Sequence, residues 1–272
     1  MLLPSPATGG YSYMSRINSV FTHGKAFIPF ITAGDPSLDT TEELILKMEK
    51  AGADLIELGI PFSDPVAEGI AIQQADERAL LAGTTTDKIF KMVESVRRKT
   101  EVPLAFMTYV NPVYSYGTDR FLQNCSRCGI DAIIVPDLPF EEKGELQPYC
   151  DKYGIDLISL IAPTSHSRIK MIAKEAQGFV YCVSSMGVTG VRSEISTNVS
   201  EMIKLVKEVK DIPCAIGFGI STPEQAKAMA QYADGVIVGS AIVRITGKYG
   251  SNSIEPVTEY VKSMKDAIRG LN

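Results

Sequence analysis

The sequence predicts an α/β protein, a single (β/α)8 barrel with an extra N-terminal helix, and three observations carry the prediction. Eight short apolar runs recur along the chain, helical patterns fill the segments between them, and eight strand-then-helix units fit the roughly 250 residues that such a TIM barrel occupies. The runs are continuous rather than alternating, which marks strands covered on both faces, as in a parallel sheet. An open doubly wound sheet competes, but it would more often carry a glycine-rich nucleotide loop after its first strand. The stretch "ITAGDPS" at that place is not GxGxxG.

Each element has its own signal. Residues 1–13, "MLLPSPATGGYSY", have no basic start and are broken by Pro and Gly, so they read as a flexible leader before a catalytic domain over 14–272. The first strand is expected at 27–34 (FIPFITAG). "LDTTEELILKMEKAG" follows as a helix, with Leu44, Ile45 and Met48 on one stripe and Gly52 at its end. The second strand, 53–61 (ADLIELGIP), and the third, 103–109 (PLAFMTY), flank a helix in which Ile89, Met92, Val93 and Val96 make the apolar stripe. Strands four to six are expected at 132–137, 156–163 and 179–184, and strands seven and eight at 214–219 and 235–240. Between the last two, Thr222 caps a helix with Pro223 at its first position and Gln225 completing a capping box. "VTEYVKSMKDAI" is a closing amphipathic helix.

Composition excludes several functions. A net charge of -5 with scattered basic residues gives no electrostatic grip on nucleic acid or anionic membrane. No apolar stretch reaches the ~20 residues of a membrane span. Five cysteines without a secreted framework's spacing point to the reducing cytoplasm. The pair in "CSRC" sits in a helical stretch without a second pair or a nearby His, so Cys125 and Cys128 read as packing residues rather than metal ligands.

The chemistry is expected at the carboxyl ends of the strands. Glycines stand after strand seven in "GFGIS" (Gly217, Phe218, Gly219) and after strand eight in "VGSAI" (Gly239, Ser240). There, backbone N–H groups and a helix starting at Ser240 would face a phosphate. A Ser/Thr/Gly-rich stretch after strand six, "SSMGVTGVRSEIST", reads as a lid. Glu57 stands inside the second apolar run and shares parity with Leu55 and Gly59, so it points into the barrel mouth if the other parity packs on helices. None of the eight expected strands contains Lys, Arg or His, so desolvation should raise its pKa toward that of a proton donor. The other reading is a Glu held by barrel Tyr or Thr hydroxyls for packing alone. Without a strand lysine there is no Schiff-base chemistry, and His23 and His166, lying outside the strands, make no His-rich metal site. What remains is acid-base work by carboxylates on a phosphorylated substrate that supplies its own electron sink.

"FIPFITAGDPS", "LIELGIPFSDPVAEG", "SSMGVTGVR", "GFGIS" and "GSAIV", in this order from Phe27 to Arg244, closely resemble the alpha subunit of tryptophan synthase. The resemblance implies retro-aldol cleavage of indole-3-glycerol phosphate to indole and glyceraldehyde 3-phosphate. It places Glu57 on the family's acid-base and Glu68 on its second carboxylate, which faces the indole N–H. Tyr181 matches a residue beside the acid, and Thr189 the lid threonine. Phe30, Met107, Tyr109 and Ile134 match the indole pocket, and Gly190, Gly219, Gly239 and Ser240 the phosphate cradle. Pro61 and Asp64 fall where the family's alpha chain meets its beta partner. Two residues depart from the family pattern: Glu68 stands where Asp is usual, and Ile70 where a proline usually follows the glycine. The resemblance also implies an alpha2beta2 heterotetramer, with indole passing to a beta subunit that holds pyridoxal phosphate, and no cofactor in this chain. Two alternatives stay open: a free-standing indole-glycerol-phosphate lyase, and a weakly active barrel that mainly activates a beta subunit.

Overall fold

The computed structural model describes residues 16–183, 192–217 and 219–271. Among them, nine parallel strands form one ring: β1 (Ala26–Thr32), β2 (Ile56–Gly59), β3 (Leu104–Met107), β4 (Ala132–Ile134), β5 (Asp156–Leu157), β6 (Ser159–Ile161), β7 (Val180–Val183), β8 (Cys214–Gly217) and β9 (Gly235–Val238). Their order is β5-β4-β3-β2-β1-β9-β8-β7-β6. The count exceeds the expected eight because the fifth expected strand is broken at Ile158. Its first half pairs with β4 (Ala132↔Asp156) and its second with β7 (Ser159↔Val180), so one continuous segment closes the barrel. At the break, Ile158 N–H donates to Ile133 O at 2.9 Å.

The helices that cover the ring are α1 (Leu38–Ala51), α2 (Ile70–Leu81), α3 (Thr86–Arg97), α4 (Val110–Tyr116), α5 (Thr118–Cys128), α6 (Gln147–Tyr153), α7 (His166–Glu175), α8 (Arg192–Lys207), α9 (Pro223–Ala230), α10 (Ser240–Tyr249) and α11 (Ile254–Ile268). Their ends follow the expected signals. Gly52 closes α1 at φ 106°, a left-handed conformation that an L side chain rarely adopts, and the Thr222–Gln225 capping box opens α9. A cap of this kind contributes about 1 kcal/mol.

Strand parity sorts the core into two layers. Ile56, Leu58, Phe106, Ile133, Cys182 and Ile216 face the helices, while Leu55, Ala105, Ala132, Ile134, Tyr181, Ala215 and Ile237 face the barrel axis. Each fully buried Leu or Ile contributes about 1.5–3 kcal/mol. At the amino ends of the strands, Ile17 and Val20 plug the interior, and the rings of Phe21 and Phe179 lie 5.6 Å apart. The plug includes a single 3-10 turn at Arg16–Ser19, which is the described part of the expected N-terminal helix; residues 1–15 lie outside the described residues. With this end filled, open space is left at the carboxyl ends.

Candidate active site

A cavity of about 510 Å³ opens at the carboxyl ends of the strands. Of the residues singled out in the sequence, Phe30, Glu57, Glu68, Met107, Tyr181, Gly219, Gly239 and Ser240 line it.

Glu57 comes from the middle of β2, on the inward parity, between Phe30 of β1 and Ala105 of β3 in register. The methyl of Ala105 leaves space beside it. The side chain is wholly buried, and neither carboxylate oxygen has a hydrogen-bond partner among the described residues. Burial first, and then the charge of Glu68, push its carboxyl well above the usual carboxylate range. No Tyr or Thr hydroxyl among the described residues holds it, so they give the packing reading no support. A buried polar group left unpaired costs stability, about 1–3 kcal/mol on mutational scales.

Glu68 ends the loop between β2 and α2 and is half-buried; burial pushes its carboxyl up to about 7. The loop is clamped from β3's end: Tyr109 Oη accepts from Ala67 N–H at 3.0 Å, and the Tyr109 and Phe62 rings lie 5.5 Å apart. Tyr109 therefore holds the loop that carries Glu68 instead of lining the cavity. Ile134 lies deeper, in the barrel interior. Asp64 is exposed on the same loop and accepts from Ser63 Oγ at 2.5 Å.

Tyr181, on β7 and opposite Ala215, is buried. Its phenol is pushed well above its ordinary value by burial and then by the charges of Glu57 and Glu68. Gly217, expected in the phosphate cradle, is the last residue of β8 and does not line the cavity. A Cβ there would lie 2.6 Å from Tyr181 Cζ, so this glycine clears space for the Tyr181 ring. Gly219, at φ 75°, and Gly239, which precedes α10, do reach the cavity. Ser240 is the first residue of α10, whose amino end carries partial positive charge toward the space. Thr189, Gly190 and Phe218 lie outside the described residues.

Sequence reasoning missed three kinds of residue here. Val183 and Ile237 are inward-facing strand positions that parity could have found. Arg244 lines the cavity from α10, one helical turn beyond Ser240. Asp76 is buried on α2, where it shares an otherwise apolar stripe with Ile72, Ala75 and Ala79. Its carboxylate accepts from Phe62 N–H and, at 3.4 Å, from Thr32 Oγ1, so it anchors the start of the loop. Burial raises it to about 7, and the charges of Glu68 and Asp35 add to the rise. Asp35 itself is paired with Arg78 at 2.7 and 2.8 Å.

A carboxyl raised from 3.8 to about 7 favours the folded state fully below pH ~4, and that contribution is lost as pH rises toward 7 and beyond. Asp76→Asn keeps the acceptor for Phe62 and removes the penalty. The expected result is a melting temperature a few °C above wild type at pH 8 and close to it at pH 4. An equal shift at both pH values in thermal melts would contradict this assignment.

The remaining chemistry-bearing residues are elsewhere. Cys125 and Cys128 are buried on α5; burial pushes the Cys128 thiol up to about 12. His166 opens α7, with Nε2 3.2 Å from Glu201, and His23 is exposed, so both lie outside the strands as expected. Among the described residues no group of His, Cys, Asp and Glu is arranged to hold a metal, and no helix is long and apolar enough to cross a membrane.

The comparisons with known proteins agree with one another. A family profile described as tryptophan synthase alpha chain matches residues 18–269. The tryptophan synthase alpha chain of Lacticaseibacillus casei is 48% identical over 255 residues, covering 94% of this chain and 96% of that one. The crystal structure of the tryptophan synthase alpha chain from Legionella pneumophila superposes with a TM-score of 0.85 at 35% identity, over 95% of this chain and 99% of that one. A chain of the tryptophan synthase complex from Pyrococcus furiosus does so with a TM-score of 0.80 at 33% identity, over 90% and 100%.

Proposed function

The chain belongs to the tryptophan synthase alpha chain family and is a carbon-carbon lyase that cleaves indole-3-glycerol phosphate to indole and glyceraldehyde 3-phosphate; from that premise we propose how its residues divide the work. Glu57 is the acid-base. Its carboxyl donates a proton to the indole ring carbon that carries the glycerol chain, giving an indolenine cation. It then receives the proton of the hydroxyl on the adjacent chain carbon as that carbon becomes the aldehyde and the bond to the ring breaks. The electron pair of the broken bond restores the aromatic ring, so the proton balance closes and Glu57 ends protonated. The observation that carries this reading is the wholly buried carboxyl at the foot of the cavity, which has no hydrogen-bond partner among the described residues.

Glu68, facing the indole N–H, steadies the positive indolenine. Tyr181 bounds the space beside the acid, while Phe30 and Met107 make apolar walls for the ring. Gly219, Gly239, Ser240 and the amino end of α10 receive the phosphate, and the lid residues Thr189 and Gly190 complete the enclosure.

We also propose a tryptophan synthase beta subunit as partner in an alpha2beta2 complex, cytoplasmic, with pyridoxal phosphate on the partner and no cofactor in this chain. Support for the partner comes from the loop at the cavity rim, where Val66 and Ile70 are 83% and 73% exposed beside Asp64. Two exposed aliphatics, Val66 on the loop and Ile70 at the start of the helix that follows it, suit a face that is covered on assembly. The test is indole release from indole-3-glycerol phosphate with and without added beta subunit. Stimulation of tenfold or more (~1.4 kcal/mol or more) is expected. Equal rates in both conditions would favour the free-standing lyase instead.

A further inference from the structure

We propose that Arg244 is a specificity-determining residue that pairs its guanidinium with the phosphate of the substrate; this rests on the reading that the cavity takes a phosphorylated indole. Glu68 lines the cavity and Asp76 lies just behind it, each with a carboxyl that ionises at about 7, so an entering phosphate dianion meets negative charge. Among the described residues that line the cavity, Arg244 is the only Lys, Arg or His.

Its position matches the need. Ser240 is the first residue of α10 and Arg244 is the fifth, so the two lie on one helix face at an i, i+4 spacing. Side chains on a helix lean toward its amino end, which brings the guanidinium over the terminus where Gly239 and Ser240 meet the cavity. Arg244 is exposed and makes no ion pair with the described residues, whereas Arg78 is committed to Asp35 and Arg168 to Glu141. The guanidinium fork presents paired donors that match phosphate oxygens, which the backbone N–H groups of the glycine cradle cannot replace as a countercharge.

The phosphate end is remote from the ring carbon that reacts, so the contact should act on binding and leave the chemical step alone. Arg244→Gln is expected to raise KM for indole-3-glycerol phosphate about 10- to 100-fold with kcat within about threefold of wild type. Inhibition by inorganic phosphate should weaken by a similar factor, while inhibition by indole, which has no phosphate, stays unchanged. Arg244→Lys, which keeps the charge and loses the fork, should fall between the two. Because the side chain is exposed, all variants should melt with the wild type. If wild type cleaves the substrate and Arg244→Gln keeps both its KM and its phosphate inhibition within about twofold, the inference is overturned and the function stands. A fall in kcat at constant KM overturns it as well. A wild type that does not cleave indole-3-glycerol phosphate but is inhibited from binding indole analogues by phosphate would sink the functional reading and leave Arg244 as an anion site.

Discussion

Glu57→Gln is expected to lower indole release by about 10²- to 10⁴-fold, the range that a positioned proton donor contributes, with or without a beta subunit. The amide has nearly the shape of the acid, so the substrate should still bind and KM should move little. What it lacks is a proton to give to the ring carbon. Stability separates this loss from misfolding. Both oxygens of Glu57 are buried without partners among the described residues, so the neutral amide leaves no charge to desolvate and the variant should melt at or above the wild-type temperature. The pH profile gives an independent sign. The acid form is the donor, so wild-type activity falls as pH rises through the raised pKa of Glu57, and the Gln variant's residual rate shows no such limb. Full activity in the variant would mean that another group supplies the proton.

Gly217→Ala is expected to reduce kcat by about 10- to 100-fold and to destabilise the fold by about 1–3 kcal/mol. The added methyl would lie 2.5–2.6 Å from the edge of the Tyr181 ring, and a stiff aromatic in a buried strand has no easy retreat. The ring must shift within the cavity that Glu57 also lines. Replacing Tyr181 by Leu in the same chain should recover most of the stability, because the obstacle is gone, and the non-additivity measures the contact. Additive effects of the two substitutions in thermal melts would show that Gly217 acts elsewhere.

The fold was largely legible because buried parallel strands leave a signal that survives without an alignment: continuous apolar runs separated by capped helices. The break at Ile158 was not, since "DLISLIAP" reads as one unbroken apolar run and only the pairing partners divide it. Glu57 stood out because an acid in a covered strand is costly and therefore informative. Asp76 did not, because "QQADER" looks like a solvated helix face until the helix is set against the barrel. Gly217 and Gly219 looked alike in "GFGIS". A glycine that opens onto the cavity and one that admits a neighbouring tyrosine carry the same letter, and the difference is in the cross-strand register that pairs β7 with β8. Tyr109 was expected to line the indole pocket, and its part as a clamp was not legible, since its hydroxyl's partner is a backbone N–H in a different loop.

The interruption at Ile158 also divides labour. Everything assigned to proton chemistry, Glu57, Glu68 and the clamp and anchor that seat their loop, comes from the chain before the break. Tyr181 and the residues proposed to hold the phosphate, Gly219, Gly239, Ser240 and Arg244, come after it. The barrel is thus two half-rings, one that reacts and one that grips, joined along β1 and β9 and fastened on the far side by two short pairings. A substrate bound by its phosphate is held by one half and presented to the other. Its alignment with the acid is then a property of the fastening, and small slippage between the halves would detune the reaction without touching a single catalytic side chain.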